Sequence, residues 1–294
     1  MSPKIQGMIT AIVTPFKDGK VDENAFARLI ERQINAGISG LVICGSTGET
    51  ATLSDDEFFH VIKFATEITK KRVPIIANVG SNNTAKAIEL VHKACELDID
   101  AILSVVPYFN KPSQHGIYLH FKAIHDATTL PIVLYNVPGR TVADMNSDTV
   151  LKLCELPRII SIKDATANMD RPLQVQSKLK RSDFTMVSGD DSSFLSFNAN
   201  GGSGCISVAA NIMPEQMIAI QKLCELGDFR QALALHLKLM PLYSVLFCEA
   251  NPIPTKYALG LMGLCQDEVR LPLCQLSSEN KEKVRTALVA LELL

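Results

Sequence analysis

Eight short runs rich in β-branched and aliphatic residues recur along the chain about every thirty residues, the length of one strand–helix unit. No other feature limits the fold so tightly. The runs are 8–13, 41–44, 74–79, 101–106, 131–135, 159–162, 184–187 and 205–208. Several are almost wholly apolar rather than alternating, which suits parallel strands buried on both faces. Amphipathic helical segments lie between them. Ser54-Asp55-Asp56-Glu57 reads as a capping box ahead of Phe58, Val61, Ile62 and Ala65 on one face. Asp22 can cap a helix presenting Phe26, Leu29, Ile30 and Ile34 that Gly37 stops, and Asp170 precedes a helix with Pro172 in its first turn. Eight such units in succession favour a closed α/β fold, the (β/α)8 TIM barrel, over an open doubly wound sheet. Residues 1–226 are assigned to the barrel. Beyond Gly227 no strand signal remains, and apolar stretches at 232–247 and 281–294 suggest a C-terminal helical extension over 227–294, there for packing or subunit contact.

Charge and composition narrow the partner. A net charge of -2 over 294 residues, with charges scattered, offers no basic stripe for nucleic acid and no polybasic anchor for a membrane. A small molecule is the expected partner. The segment Met1-Ser2-Pro3-Lys4-Ile5-Gln6-Gly7 lacks the apolar stretch of a secretory signal, and no run approaches a bilayer span, so a cytoplasmic protein is expected. The eight cysteines are dispersed and read as free thiols used as small hydrophobes. No CxxC, HxH or HExxH spacing occurs, so no metal is expected. Gly45-Ser46-Thr47-Gly48-Glu49 lacks the Gly-Lys-Ser/Thr of a phosphate loop, and no nucleotide cofactor is expected.

In a parallel barrel, side chains from different strands converge at the strands' carboxyl ends. Here those ends carry Thr14, Ser46-Thr47, Tyr108, Tyr135-Asn136, Lys163-Asp164 and Ser188-Gly189-Asp190. Lys163 closes the apolar run Ile159-Ile160-Ser161-Ile162, and burial favours the neutral amine that attacks carbonyls, although many strand-end lysines are solvated structural residues. Tyr135 offers either a proton-carrying phenol or a core tyrosine with a satisfied hydroxyl. The Gly45-to-Glu49 turn could hold a carboxylate through backbone N–H groups and hydroxyls. Arg140, after a Pro-Gly turn, is either a carboxylate fork over the mouth or a solvated loop residue. Gly201-Gly202-Ser203-Gly204 reads as a flexible loop or a close approach to a ligand, and Asn251-Pro252-Ile253-Pro254 as a rigid turn rather than a site.

Taken together, Gly45-Ser46-Thr47-Gly48-Glu49, Pro107-Tyr108-Phe109-Asn110-Lys111-Pro112, Tyr135-Asn136-Val137-Pro138-Gly139-Arg140-Thr141, Ile160-Ser161-Ile162-Lys163-Asp164, Ser188-Gly189-Asp190-Asp191 and Gly204-Cys205-Ile206-Ser207 resemble the dihydrodipicolinate synthase / N-acetylneuraminate lyase family of class I aldolases over essentially the whole chain. The resemblance implies a Schiff base between Lys163 and pyruvate, whose enamine attacks L-aspartate-4-semialdehyde to give 4-hydroxy-tetrahydrodipicolinate on the route to diaminopimelate and lysine. It implies that Thr47 and the backbone at Ile206 hold the pyruvate carboxylate. Tyr135 and Ser46 would relay protons, and Arg140 would grip the semialdehyde carboxylate. A homotetramer built as a dimer of dimers is also implied.

Three departures from the family pattern stand out. Ser46 replaces a threonine, keeping the hydroxyl. Phe109 stands where a tyrosine usually completes the relay in a neighbouring subunit, so that hydroxyl is absent. Lys86, Asp55 and Phe58 stand where lysine-inhibited relatives carry an acidic residue and histidines, although Asn82 and Tyr108 remain, so weak or absent lysine feedback is expected. Two rivals remain. One is an N-acetylneuraminate or 2-keto-3-deoxy-sugar acid lyase, which generally lacks the arginine at position 140. The other is a non-catalytic paralogue that keeps the barrel as a binding module.

Overall fold

The computed structural model describes residues 4–294; Met1, Ser2 and Pro3, part of the segment read above as lacking a signal, lie outside the described residues. The described residues form ten strands: β1 (Gly7–Ala11), β2 (Phe16–Lys17), β3 (Lys20–Val21), β4 (Gly40–Ile43), β5 (Ile75–Asn78), β6 (Ala101–Val105), β7 (Ile132–Asn136), β8 (Ile159–Asp164), β9 (Thr185–Ser188) and β10 (Gly204–Ser207). Eight of them close into a parallel barrel in the order β1-β10-β9-β8-β7-β6-β5-β4. The expected (β/α)8 barrel is therefore borne out. Its physical basis is visible in β1, β4, β5, β7 and β8, every residue of which is buried.

The remaining pair, β2 and β3, is an antiparallel hairpin that the sequence reading missed. Two-residue strands carry no measurable alternation. The available signal was the Asp18-Gly19 dipeptide, whose residues both adopt positive φ (53° and 76°), as a tight hairpin turn requires.

Twelve α-helices among the described residues accompany the strands: α1 (Glu23–Ala36), α2 (Asp55–Thr69), α3 (Thr84–Ala94), α4 (Gln114–Asp126), α5 (Pro138–Thr141), α6 (Ser147–Cys154), α7 (Asp170–Gln176), α8 (Phe194–Ala199), α9 (Pro214–Glu225), α10 (Phe229–Val245), α11 (Ile253–Leu261) and α12 (Ser278–Ala290). The expected caps form. Asp22 accepts from the Ala25 N–H at 2.9 Å, Gly37 closes α1 at φ 89°, and Ser54 and Glu57 complete the capping box of α2. Asp170 is the first residue of α7 rather than its cap, a position that Met169 fills without a side-chain bond. In the C-terminal extension α10 and α12 match the expected helices, and α11 was missed. Its prolines hid it: Pro252 is the N-cap residue and Pro254 lies in the first turn, where a missing N–H forfeits no helical bond.

The described residues pack as two compact units, 4–7 with Pro74–Ile206 and Met8–Val73 with Ser207–Leu294. In the first unit Gly202, before β10, and Gly204, its first residue, closely approach the protein's own chain. A Cβ on Gly202 would lie 2.3 Å from the Phe197 ring, and one on Gly204 would lie 2.0 Å from the Gly7 carbonyl. Of the cysteines, Cys44, Cys154, Cys205 and Cys224 are buried as expected, whereas Cys95 and Cys274 are exposed. Burial pushes the thiols of Cys44 and Cys205 up, and that of Cys154 to about 12, which keeps them protonated and unreactive.

His120 on α4 is buried, with Nδ1 2.9 Å from the Thr84 hydroxyl and Nε2 without a hydrogen-bond partner. Burial lowers its pKa from 6.5 to about 4. Between these values the unfolded chain binds a proton that the folded chain refuses, so stability falls as pH drops through that window. This residue alone is expected to remove on the order of 3 kcal/mol by pH 4. Urea unfolding at pH 7 and pH 4.5 checks it: His120→Gln should lose less stability between the two than the parent does.

Candidate active site

In the first unit β8 carries Lys163 next to its end, after four buried residues. Lys163 is 6% exposed, and its Nζ lies 4.4 Å from the centre of the Tyr135 ring. The two residues are register partners on adjacent parallel strands, with Val105 aligned beside Tyr135 and Val187 beside Lys163. The pleat therefore sends both side chains to the same face. Tyr135 is itself 7% exposed, so the amine rests against an aromatic wall with little water.

Gly189 leaves room for this lysine. A Cβ there would lie 2.8 Å from that of Ala165 and 2.9 Å from Lys163 Cε, while the Gly189 N–H donates to the Asp164 carbonyl at 2.7 Å. Ser188, at the carboxyl end of β9, donates its hydroxyl to the Asp190 carbonyl at 2.9 Å.

Two further residues tie these strand ends together. Asp164 is buried, and desolvation pushes its carboxyl up, opposed by hydrogen bonds from the Thr166 hydroxyl and N–H and by Arg171. Arg171 reaches Asp164 at 3.4 Å and forks onto Asp144 at 3.0 and 2.8 Å. Asp144 in turn accepts from Asn136 Nδ2 at 2.7 Å. The residues following Tyr135 and Lys163 are thus joined through Asp144 and Arg171, neither of which the sequence reading singled out. They are 27 residues apart, beyond any local pattern.

Arg140 lies in α5, where Pro138 occupies the first turn, so the expected Pro-Gly turn is the start of a short helix. Its side chain is exposed and forms no hydrogen bond or ion pair with another described residue. Phe109 is 88% exposed and held at φ 71°, in a loop where the Asn110 side chain donates to the Asn82 carbonyl at 2.8 Å. Ile206 is fully buried in β10.

In the second unit the chain leaves β4 into the turn bearing Ser46 and Thr47. Gly48 and Thr50 donate to the Gly45 carbonyl at 3.0 and 3.4 Å, and Glu49 donates to that of Ser46 at 3.2 Å. The Gly48 and Glu49 N–H groups, which the sequence reading offered to a carboxylate, are thus consumed inside the turn. Ser46 is half-buried and Thr47 buried, and the Thr47 hydroxyl oxygen accepts from Asn251 Nδ2 at 2.9 Å. Asn251 therefore does more than shape a rigid turn.

The end of the same turn is anchored by charge. Glu49 is buried, pairs with Lys256 Nζ and accepts from the Arg270 N–H at 3.2 Å. Lys256 is fully buried, donates to the Glu268 carbonyl at 2.8 Å and lies 3.9 Å from the Phe16 ring centre. Arg270 covers that ring at 4.1 Å and forks onto Glu57 at 2.7 and 2.6 Å, a hydrogen-bonded pair that lowers the Glu57 carboxyl to about 2. A lysine within the otherwise apolar run of α11 was the one sequence signal of this anchor.

The sequence model of the Dihydrodipicolinate synthetase family matches residues 4–291. The 4-hydroxy-tetrahydrodipicolinate synthase of Parvibaculum lavamentivorans is 48% identical, over 98% of this chain and 99% of that protein. That of Hyphomonas neptunium is 52% identical over 91% and 92%. The crystal structure of the chloride-inhibited dihydrodipicolinate synthase from Acinetobacter baumannii, complexed with pyruvate, superposes with a TM-score of 0.96 at 44% identity, covering 99% of this chain and 100% of that one.

The tight packing around Lys163 gives a direct test. Gly189→Ala forces a methyl against Ala165 and the lysine stem, and overpacking of this kind costs about 1–3 kcal/mol. Gly139→Ala, where nothing lies within 4 Å, is expected to leave stability unchanged. Urea midpoints of the two variants check the difference.

Proposed function

Because the chain belongs to the dihydrodipicolinate synthetase family, we propose that it condenses pyruvate with L-aspartate-4-semialdehyde through a Schiff base on Lys163. The product is 4-hydroxy-tetrahydrodipicolinate, an intermediate on the route to diaminopimelate and lysine. The observation that carries the reading is the buried Lys163 amine 4.4 Å from the Tyr135 ring at the ends of two aligned strands.

In this reading the lone pair of neutral Lys163 attacks the ketone carbon of pyruvate, and the carbinolamine loses water to give the imine. Loss of a methyl proton gives the enamine, whose carbon attacks the aldehyde carbon of the semialdehyde while the aldehyde oxygen takes up a proton. Attack by the substrate's own amino group on the imine carbon then closes the ring and expels the Lys163 amine. Tyr135 supplies and receives protons beside the amine, with the Ser46 hydroxyl as the next carrier. Thr47 and the backbone at Ile206 hold the pyruvate carboxylate. Arg140, exposed and without a hydrogen-bond or ion-pair partner among the described residues, grips the second carboxylate, the group that separates this acceptor from a polyhydroxylated sugar acid. No cofactor or metal is required.

The wider reading keeps residues 1–226 as the catalytic barrel and 227–294 as its helical extension, in a cytoplasmic homotetramer. No helix among the described residues is long and apolar enough to cross a membrane. Phe109 contributes no proton, so water or the Ser46–Tyr135 pair alone completes the relay.

Borohydride reduction in the presence of pyruvate, followed by mass spectrometry, is expected to place one adduct on Lys163 and none on Lys163→Ala. A folded parent protein without an adduct sinks the aldolase reading. Phe109→Tyr restores the missing phenol and is expected to raise turnover, by up to the ~10²–10⁴-fold typical of a general acid–base group. Unchanged turnover and pH profile would mean that the relay never needed that hydroxyl.

A further inference from the structure

A hydroxyl has one hydrogen to give and two lone pairs to receive with, and the hydrogen rotates to suit its neighbours. At a carboxylate site only the donating orientation helps. The Thr47 oxygen receives a hydrogen from Asn251 Nδ2 at 2.9 Å, and both residues are buried. An amide nitrogen cannot accept, so this contact occupies a lone pair and leaves the Thr47 hydrogen for another acceptor. Asn251 is itself held from the other side. The fully buried Thr255 hydroxyl donates to Asn251 Oδ1 at 3.1 Å, which keeps the amide oxygen turned away from Thr47. The same C-terminal segment holds the far end of the turn through Lys256 and Arg270 on Glu49. Thr47 and Asn251 are 204 residues apart.

We propose that Asn251 is a positioning residue that holds the Thr47 hydroxyl as a donor toward the substrate carboxylate, and so sets affinity for the 2-oxo acid without touching the reacting atoms. The proposal rests on the reading of Thr47 given above. It makes binding of one substrate depend on a side chain from the C-terminal extension.

Asn251→Asp replaces the amide donor with an acceptor of nearly the same shape, which draws the Thr47 hydrogen to itself. The KM for pyruvate is expected to rise about tenfold or more, with kcat at saturating pyruvate and the KM for the semialdehyde little changed. Thr255→Val, a milder change, frees the amide to turn over and is expected to raise the pyruvate KM in the same direction. In a Thr47→Val background Thr255→Val should have no further effect, because the hydroxyl it acts through is gone; a merely structural role would persist there.

If Asn251→Asp, or Thr255→Val should the first variant not fold, leaves the pyruvate KM within about twofold of the parent, the proposal is overturned. An equal shift from Thr255→Val with and without Thr47 overturns it as well. Borohydride trapping on the parent separates the two levels. No Lys163 adduct there removes the functional reading and this inference with it, whereas an adduct that forms at the same pyruvate concentrations in parent and variants removes Asn251 alone.

Discussion

Desolvation inside a parallel sheet covered on both faces is the constraint on which the remaining structure depends. A strand such as Ile159–Asp164 is buried along its whole length, so a polar side chain on it must be satisfied by a neighbour or put to use where the strand ends. Both outcomes are present within two residues. Asp164 accepts two hydrogen bonds from Thr166 on one carboxylate oxygen and has Arg171 3.4 Å from the other, whereas the Lys163 amine beside it faces an aromatic ring. The same rule governs the turn after β4. Glu49, buried at its end, is matched by Lys256 and by the Arg270 backbone. A buried ion pair of this kind adds little net stability against an apolar alternative, because desolving two charges offsets their attraction, but removing one partner leaves the other stranded.

What could be read from the sequence follows from how far each signal travels along the chain. Barrel strands announce themselves in four or five consecutive apolar residues, and helix caps in three or four, so both were legible. The hairpin at Phe16–Val21 was too short to show a period, and α11 began with prolines that read as a turn. Lys163, Tyr135 and Thr47 could be singled out as candidates because each sits at or just after the end of a recognisable strand. Asp144, Arg171 and Asn251 could not, because their partners lie on other elements and no local pattern marks them. The sequence shows where polar groups stand; the partner that orients each one is a property of the folded chain.

Local backbone chemistry accounts for the two misreadings near the strand ends. A Pro-Gly pair most often marks a turn, but Pro138 has the fixed φ that suits a first helical turn and opens α5. Glycines before and at the start of β10 suggested a flexible loop, but they permit close packing against Phe197 and the Gly7 backbone. In both places the residue's conformational preference was read correctly and its neighbour was not.

The anchoring of the Gly45-to-Glu49 turn has a consequence for how the chain matures. Its partners, Asn251, Lys256 and Arg270, lie some two hundred residues downstream, and such distant contacts form only after the loop between them has closed. During synthesis from the amino terminus, the turn is made well before Lys256 and Arg270 leave the ribosome, and its buried glutamate waits until then for a counter-charge. A chain released early, even one containing all eight barrel strands, would carry Lys163 and Tyr135 alongside a turn whose anchoring residues were never made.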